Sequence, residues 1–376
     1  MNNIKKILIV TNFYKPHISG ITNYVEVLAN FYSSKKIKRY ILTGNTNNEK
    51  KISRVKNVII IRSKILFNFG RGYFSLDLIK IFNYLSKKID IINLHFPLVE
   101  ILPIVLLSRK YKFITFHCMP PIIWSDIKSY FVSIYFYLSF TLSAILTKKI
   151  IVNTFDYYDM FFFSKLFRYK TKEIFPVLEN RTTSSSDVNI LSNNETPIIG
   201  FLGRICKEKG IDNIILASRL LNNKNIKHKI LICGDLKDIR FKNYINNLKY
   251  KCKDNSSVKF LGKINENEKD NFYKKIHFLI FPSINYYESF GIVQLESMSY
   301  GKIVLSSNLK GVRIPVLKTN NGIILKNNNP ESICKGIIEC IELAKIKKQS
   351  NVLEDYNSNF SNNEFFYRYL KLIDIN

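Results

Sequence analysis

Residues 197–210 read PIIGFLGRICKEKG, and the rest of the chain is best read outward from them. PIIGFLG is a short apolar run edged by glycine, as expected of a strand buried in a parallel sheet. After Gly203 come Arg204 and Lys209, five apart, then Gly210 and an amphipathic stretch from about Ile211 to Leu221. A strand, a glycine-edged basic loop and a helix suit a phosphate. Arg204 offers a bidentate fork, Lys209 a point charge, and the helix start adds backbone N–H groups and a positive dipole end. A solvated turn in a lysine-rich chain fits the same residues, so the motif gains weight only from what accompanies it.

The same alternation runs in both directions. Upstream, apolar strand-like runs occupy 5–10, 39–43, 57–62, 89–95, 112–117 and 148–154, with helical stretches between, such as 75–88. Downstream, 228–234, 258–262, 277–283 and 302–307 read as strands, with helices near 241–252, 292–300, 331–346 and 353–372. Short strands alternating with helices predict an α/β protein with parallel sheets covered on both faces. The Ser/Thr/Asn-rich stretch from Asn180 to Pro197 reads as an interdomain linker. The expected division is a domain at 1–180, a linker at 181–196, a domain at 197–352 and a terminal helix within 353–376. Ligands of such folds bind beyond the carboxyl ends of the strands, here in a cleft between two doubly wound domains.

The length of 376 residues suits two domains, each with its own core. A hydrophobic content of 46% excludes a disordered or collagen-like chain. The 57 Lys and Arg against 29 Asp and Glu give +28, which points to nucleic acid or a membrane surface. Yet only 12 of the 57 are Arg, and the companions Asn, Ile, Tyr and Phe share AT-rich codons with Lys, so coding bias is an equal explanation. Six Cys stand singly, without zinc spacing, as in a reducing compartment. The apolar run after Lys5 and Lys6 is too short for a secretory signal. Residues 130–146 hold 17 residues without a charge, the lower edge of a membrane span, but five Ser and Thr within or beside them favour a buried or interfacial helix.

Three further motifs bear on chemistry. In 287–296, YESFGIVQLE, Glu288 lies in a strand-to-helix loop and Glu296 about two turns into the helix, with Ser289 as its expected cap. Carboxylates accept hydrogen bonds from paired sugar hydroxyls, and Gly291 admits a close backbone approach. Phe290 is equally a core aromatic by sequence, and both acids fit a solvated loop and helix face. In 16–21, PHISGI, Gly20 stands at a helix start. In 116–118, FHC, His117 lies at the carboxyl end of a strand, where lone histidines are more often structural than reactive.

Taken in this order, PHISG, IDIINLHFP, TFH, GRICKEKG and YESFGIVQLESMSYGKIVLSS resemble the retaining GT-B glycosyltransferases of glycosyltransferase family 4. The resemblance covers nearly the whole chain. It implies two Rossmann-like domains facing across a cleft, with a last helix returning to the first domain. It also implies roles: Arg204 and Lys209 on the diphosphate of a nucleotide sugar, Glu296 on the ribose, and Glu288 with Ser289, Phe290 and Gly291 on the donor sugar. Gly20 would lie against the donor from the N-terminal side, and His117 with Glu288 near the reacting centre. No Asp-x-Asp occurs, and the resemblance implies no metal and no other cofactor. It departs from the family at Ser19-Gly20, where many members have Gly-Gly, and at 178–181, LENR, where they have Pro-Asn-Gly.

The expected function is retaining sugar transfer in surface polysaccharide synthesis, at the cytoplasmic face of the membrane. The expected partners are a nucleotide-sugar donor, a lipid-linked saccharide acceptor and an anionic membrane, without nucleic acid. Alternatives are a nucleotide-sugar epimerase on the same fold, a basic nucleic-acid-binding protein, for which no reader motif appears, and an integral membrane protein using 130–146.

Overall fold

The computed structural model describes residues 5–17, 19–120, 126–178 and 187–373. It divides into an N-terminal unit, Met1–Glu179 with Asn362–Asn376, and a C-terminal unit, Asn180–Ser361.

The N-terminal unit opens with β1 (Lys6–Val10), α1 (Gly20–Ser34), β2 (Lys38–Gly44), β3 (Ile52–Val55) and β4 (Val58–Ser63). A hairpin follows, β5 (Phe67–Phe69) and β6 (Gly72–Phe74), then α2 (Leu76–Ser86) and β7 (Ile91–Phe96). Next come α3 (Ile101–Leu107), β8 (Tyr111–Phe116), α4 (Ile127–Leu146), β9 (Lys149–Val152), α5 (Phe155–Tyr158) and β10 (Thr171–Glu173). The sheet order is β10-β9-β8-β7-β1-β2-β4-β3, parallel except for the edge pair β3–β4. Strands β3, β10, β5 and β6 were not legible as strands: β3 is largely exposed at an edge, and the others are three residues long.

In the C-terminal unit the order is β11 (Ile198–Leu202), α6 (Ile211–Asn223), β12 (Lys229–Cys233), α7 (Lys242–Lys251), β13 (Val258–Gly262) and α8 (Glu266–Lys275). It continues with β14 (Phe278–Phe281), α9 (Ile292–Met298), β15 (Ile303–Ser306), α10 (Ile314–Thr319), β16 (Gly322–Ile324), α11 (Pro330–Ile346) and α12 (Gln349–Asn359). Its six strands are all parallel, in the order β13-β12-β11-β14-β15-β16. The chain reverses direction across this sheet between β11 and β14, the place where open α/β sheets bind ligands.

Two corrections concern boundaries. The stretch read as a linker at 181–196 is docked from 187 onward: Ile190 and Leu191 are buried in the C-terminal core, and Asn189 bridges Lys348. Two apolar residues among Ser and Asn suffice to anchor it, and the remainder, with the departure at 178–181, falls largely outside the described residues. The single helix read at 353–372 is two, α12 and α13 (Asn362–Leu372), broken at Phe360 and Ser361, where Phe360 turns in against Phe290. Only α13 belongs to the N-terminal unit. There Phe366 stacks on Phe31 with ring centroids 4.0 Å apart, and the Tyr369 and Tyr24 hydroxyls lie 2.8 Å apart. Thus α1 and α13 cover one face of the N-terminal sheet, while α2, α3 and α4 cover the other.

The uncharged segment at 130–146 forms most of α4. Ser133, Phe136, Phe140, Ser143 and Ala144 recur at three- and four-residue spacing and turn inward, Phe140 against Phe96 and Phe116. Ile127, Phe131, Leu138, Leu142 and Ile145 face outward. By length and composition α4 could cross a membrane, and a third of its most apolar stretch is buried.

Candidate active site

Two loops at the carboxyl ends of neighbouring strands carry the predicted donor residues. The first, 203–210, leaves β11, makes a short helical turn at Lys207–Lys209 and enters α6 through Gly210. The second, 282–291, leaves β14 and enters α9 through Gly291. The loops are stitched together. The Glu208 carbonyl accepts from Ile284 N (2.9 Å) and Ser283 Oγ (3.3 Å), and its carboxylate from Asn285 Nδ2 (2.8 Å). Gly210 lies at the seam with φ +70°, and a Cβ there would stand 2.5 Å from the Pro282 carbonyl oxygen. Only glycine combines that left-handed backbone with so close an approach.

Across this seam Lys209 Nζ forms an ion pair with Glu288, and lies 4.9 Å from the centroid of the Phe281 ring. Lys209 is buried, so its ammonium is held in a fixed place by a carboxylate and an aromatic face. Arg204, on the same loop, is exposed. The structure therefore pairs Lys209 directly with Glu288, a contact the sequence reading did not anticipate, and leaves the Arg204 fork in solvent.

Glu296 is buried, unlike an acid on a solvated helix face. Its Oε2 accepts from the Tyr273 hydroxyl (2.7 Å), and its Oε1 lies 3.6 Å from Lys269 Nζ. It is the fifth residue of α9, little more than one turn in rather than two. Tyr273 and Lys269 were missed by the sequence reading. Their signal is an i,i+4 pair on one face of α8, which predicts a shared neighbour but not which one.

Ser289 does not cap α9. The cap position is Gly291, at φ +79°, which offers no side-chain acceptor of its own. A Cβ at Gly291 would meet the Phe281 ring at 2.7 Å and Gln294 Nε2 at 2.8 Å. Gln294 Nε2 donates to the carbonyls of Phe290 (2.9 Å) and Val312 (2.8 Å), which pins the loop from below. Phe290 is buried against Phe360, so its side chain is core and only its backbone is placed along the loop.

On the N-terminal unit Gly20 is the exposed first residue of α1. Ser19 caps that helix, accepting from Thr22 N at 3.2 Å; the preceding residue of the loop, at 18, lies outside the described residues. This cap accounts locally for the serine that departs from Gly-Gly. His117 is 4% exposed rather than open at a strand end. Its Nε2 lies 2.8 Å from His95 Nδ1, whose Nε2 lies 3.0 Å from Asn93 Nδ2, while Thr115 Oγ1 donates to Asn93 Oδ1 (2.9 Å). The Tyr24 ring closes over His117 edge-on at 5.0 Å. Burial drives the His117 pKa down to about 3 and that of His95 well below the usual range, so both rings are neutral. His95 was missed by the sequence reading. The signal was available, because Asn93 and His95 share one face of β7 beside Thr115 of β8 and His117 just after it.

The segment that carries both C-terminal loops is similar to known proteins. Residues 184–358 match the family model described as glycosyl transferases group 1. The uncharacterized glycosyltransferase MJ1178 of Methanocaldococcus jannaschii is 28% identical over 92% of this chain and 91% of its own length. The capsular polysaccharide biosynthesis glycosyltransferase CapM of Staphylococcus aureus is 26% identical over 39% of this chain and 37% of its own. The chain spans about a third of the length of most other curated relatives it matches, 35% and 37% for two of them. Among solved structures, Anabaena HepE in complex with UDP and glucose superposes with a TM-score of 0.75 at 17% identity, covering 98% of this chain and 99% of that one. Residues 184–358 thus match the group 1 glycosyltransferases, and the whole chain carries the GT-B fold of solved glycosyltransferases.

Proposed function

We propose that the protein transfers a sugar from a nucleoside diphosphate sugar to an acceptor hydroxyl, with retention of configuration and without a metal ion. The observation that carries this reading is the Lys209–Glu288 pair, held across two stitched loops at the carboxyl ends of β11 and β14. Lys209 and the solvent-facing fork of Arg204 would take the diphosphate and stabilise the charge that grows on it as the sugar–oxygen bond breaks. A diphosphate competes with Glu288 for Lys209, and the released carboxylate is then free to accept from a sugar hydroxyl. Glu296, oriented by Tyr273, would accept from the ribose, while the backbone of Ser289–Gly291 lies along the sugar. On the N-terminal unit, Gly20 and His117 complete the assignment. A buried neutral His117 acts there as a hydrogen-bonding group and not as a cation.

HepE was solved with UDP and with UDP-glucose, which makes UDP-sugars the first donors to try. The likeness to CapM supports a place in bacterial surface polysaccharide synthesis, O-antigen, capsule or lipopolysaccharide, on a lipid-linked saccharide acceptor. The outward face of α4, with Phe162 and Leu166 exposed just beyond it and Lys110, Lys128, Lys148 and Lys165 exposed beside it, supports peripheral attachment to the anionic inner face of the cell membrane.

The test is a panel of nucleotide sugars incubated with and without saccharide acceptors, in the presence of EDTA. Acceptor-dependent release of nucleoside diphosphate, with the product anomer matching the donor, is expected. Epimerised donor without acceptor would replace this reading with an epimerase, and loss of turnover in EDTA would remove the metal-free mechanism. Flotation with anionic but not neutral liposomes is expected for the membrane contact, and equal behaviour with both would remove it.

A further inference from the structure

A cavity of about 950 Å³ lies in the C-terminal unit at the amino ends of the strands, away from the donor loops. His277 and Lys302, which line it, immediately precede β14 and β15. Lys209 and Glu288 stand at the other end of the sheet, roughly five residues of strand or ~17 Å away.

The lining is unbalanced in charge. Lys274, Lys275, Lys302 and Lys345 face a single carboxylate, Glu195. That carboxylate is already engaged: His277 Nδ1 accepts from Ile198 N at 2.9 Å, so its Nε2 carries the proton and donates to Glu195 Oε1 at 3.0 Å. Lys345 is engaged by Glu342 at 2.8 Å. Lys274 and Lys275 are exposed and form no ion pair among the described residues. Lys302 is the decisive group. It is 6% exposed, and among the described residues its ammonium has neither a hydrogen-bond acceptor nor an ion-pair partner. Burial lowers its pKa, and Glu195 opposes the shift only in part. A side chain this buried, with its ammonium turned to a cavity, favours a counter-charge there. Among the described residues the protein supplies only Glu195, which is shared with His277, while keeping two more lysines on the same cavity.

We propose that this cavity is a second anion site, which binds a phosphorylated small molecule with the phosphate on Lys302 and with Lys274 and Lys275 at the rim. A phosphate ester carries close to two negative charges and three acceptor oxygens, which suits three ammonium groups better than a single carboxylate does. The volume is that of a pocket for a whole small molecule, not for a lone ion.

The full chain is titrated calorimetrically with inorganic pyrophosphate, as wild type, Lys302→Gln, the double variant Lys274→Gln/Lys275→Gln, and Lys209→Gln. A site that persists in Lys209→Gln and weakens at least tenfold in Lys302→Gln and at least threefold in the double variant is expected. The double variant alters only exposed side chains, so it decides the matter even where Lys302→Gln does not fold. Affinity within threefold of wild type in the double variant, or no site surviving Lys209→Gln, overturns the proposal.

Discussion

Asn265 and Asn329 cap α8 and α11 in the C-terminal unit, but the two helices behind its candidate donor loops begin differently from most of those in the N-terminal unit. In the N-terminal unit α1, α2 and α4 start on Ser19, Ser75 and Asp126, and each side chain accepts from a backbone N–H of its own first turn. In the C-terminal unit α6 and α9 start on Gly210 and Gly291, in the left-handed region, with no side-chain acceptor. A capped helix has already used part of its N-terminal hydrogen-bonding capacity; a glycine start leaves it open and lets a neighbouring loop come close. The polar groups divide the same way. The C-terminal unit pairs charges there, Lys209 with Glu288 on the loops and Lys269 near Glu296 between α8 and α9. The N-terminal network of His95, His117, Tyr24 and Tyr369 is neutral, because burial pushes the histidines down and the tyrosines up. One unit places charges at its loops, while the polar network of the other is neutral.

The largest effect that would break this comparison is on the charged side. Lys209→Ala is expected to lower kcat/KM by about 10²–10³, ~3–4 kcal/mol of transition-state stabilisation, with little change in the unfolding of the N-terminal unit. Steady-state transfer close to wild type would put the chemistry elsewhere. On the neutral side the sharpest probe is Glu100. It is fully buried at the start of α3, its Oε1 accepts from Ser75 N, and its Oε2 has no partner among the described residues. Burial raises its pKa to about 7 from 4.5. The folded state then holds the proton more tightly than the unfolded one. The stability this contributes is present below pH 4.5 and lost as pH rises through 7. Measured by urea unfolding, the advantage of wild type over Glu100→Gln is expected to shrink by about 3 kcal/mol from pH 4.5 to 8. The histidines, whose lowered values give the opposite slope as pH falls, are common to both proteins and cancel. A difference independent of pH would mean the acid is ionised in the fold.

The two sides were not equally legible. Charged and glycine-rich loops are local: GRICKEKG and YESFG each fall within ten residues, so Lys209, Glu288 and Gly210 could be read from spacing. What joins them, Glu208 to 283–285, links positions some 75 apart, and no local pattern encodes it. The buried polar ladder of Asn93, His95, Thr115 and His117 depends on strand register, which the sequence implies only once β7 and β8 are known to be neighbours. The expected cap at Ser289 failed for a related reason. A serine before a helix is a good cap by propensity, but packing of Phe290 and Gly291 against Phe360 and Phe281 moved the helix start two residues on.

Gly210→Ala tests whether the glycine start is required by the seam or merely permitted. The new Cβ meets a backbone oxygen that cannot rotate away, so a loss of about 2 kcal/mol is expected in the C-terminal unit, together with weaker donor binding. Gly262→Ala is the control: φ is +80°, yet nothing lies within 4 Å of its Cβ, so only about 1 kcal/mol of backbone strain is expected. Equal losses in thermal unfolding would show that strain, and not the contact between loops, dominates at Gly210.

The smallest effect separates the two kinds of helix start most directly. Ser19→Ala removes the acceptor for Thr22 N, and is expected to lower stability by ~1 kcal/mol; Ser19→Gly by only a few tenths. Ser19 Oγ also lies 2.8 Å from Thr22 Oγ1, so the hydroxyl links two side chains on a turn beside Gly20. If the start of α1 serves stability alone, the two variants order by stability, and transfer kinetics stay at wild type. If Gly20 and the helix start also contact the donor, Ser19→Gly frees N–H groups for it and lowers KM for the nucleotide sugar, while Ser19→Ala frees the same groups at a greater cost in folding. The split between KM and unfolding free energy across these two substitutions therefore decides whether the start of α1 serves the donor or stability alone.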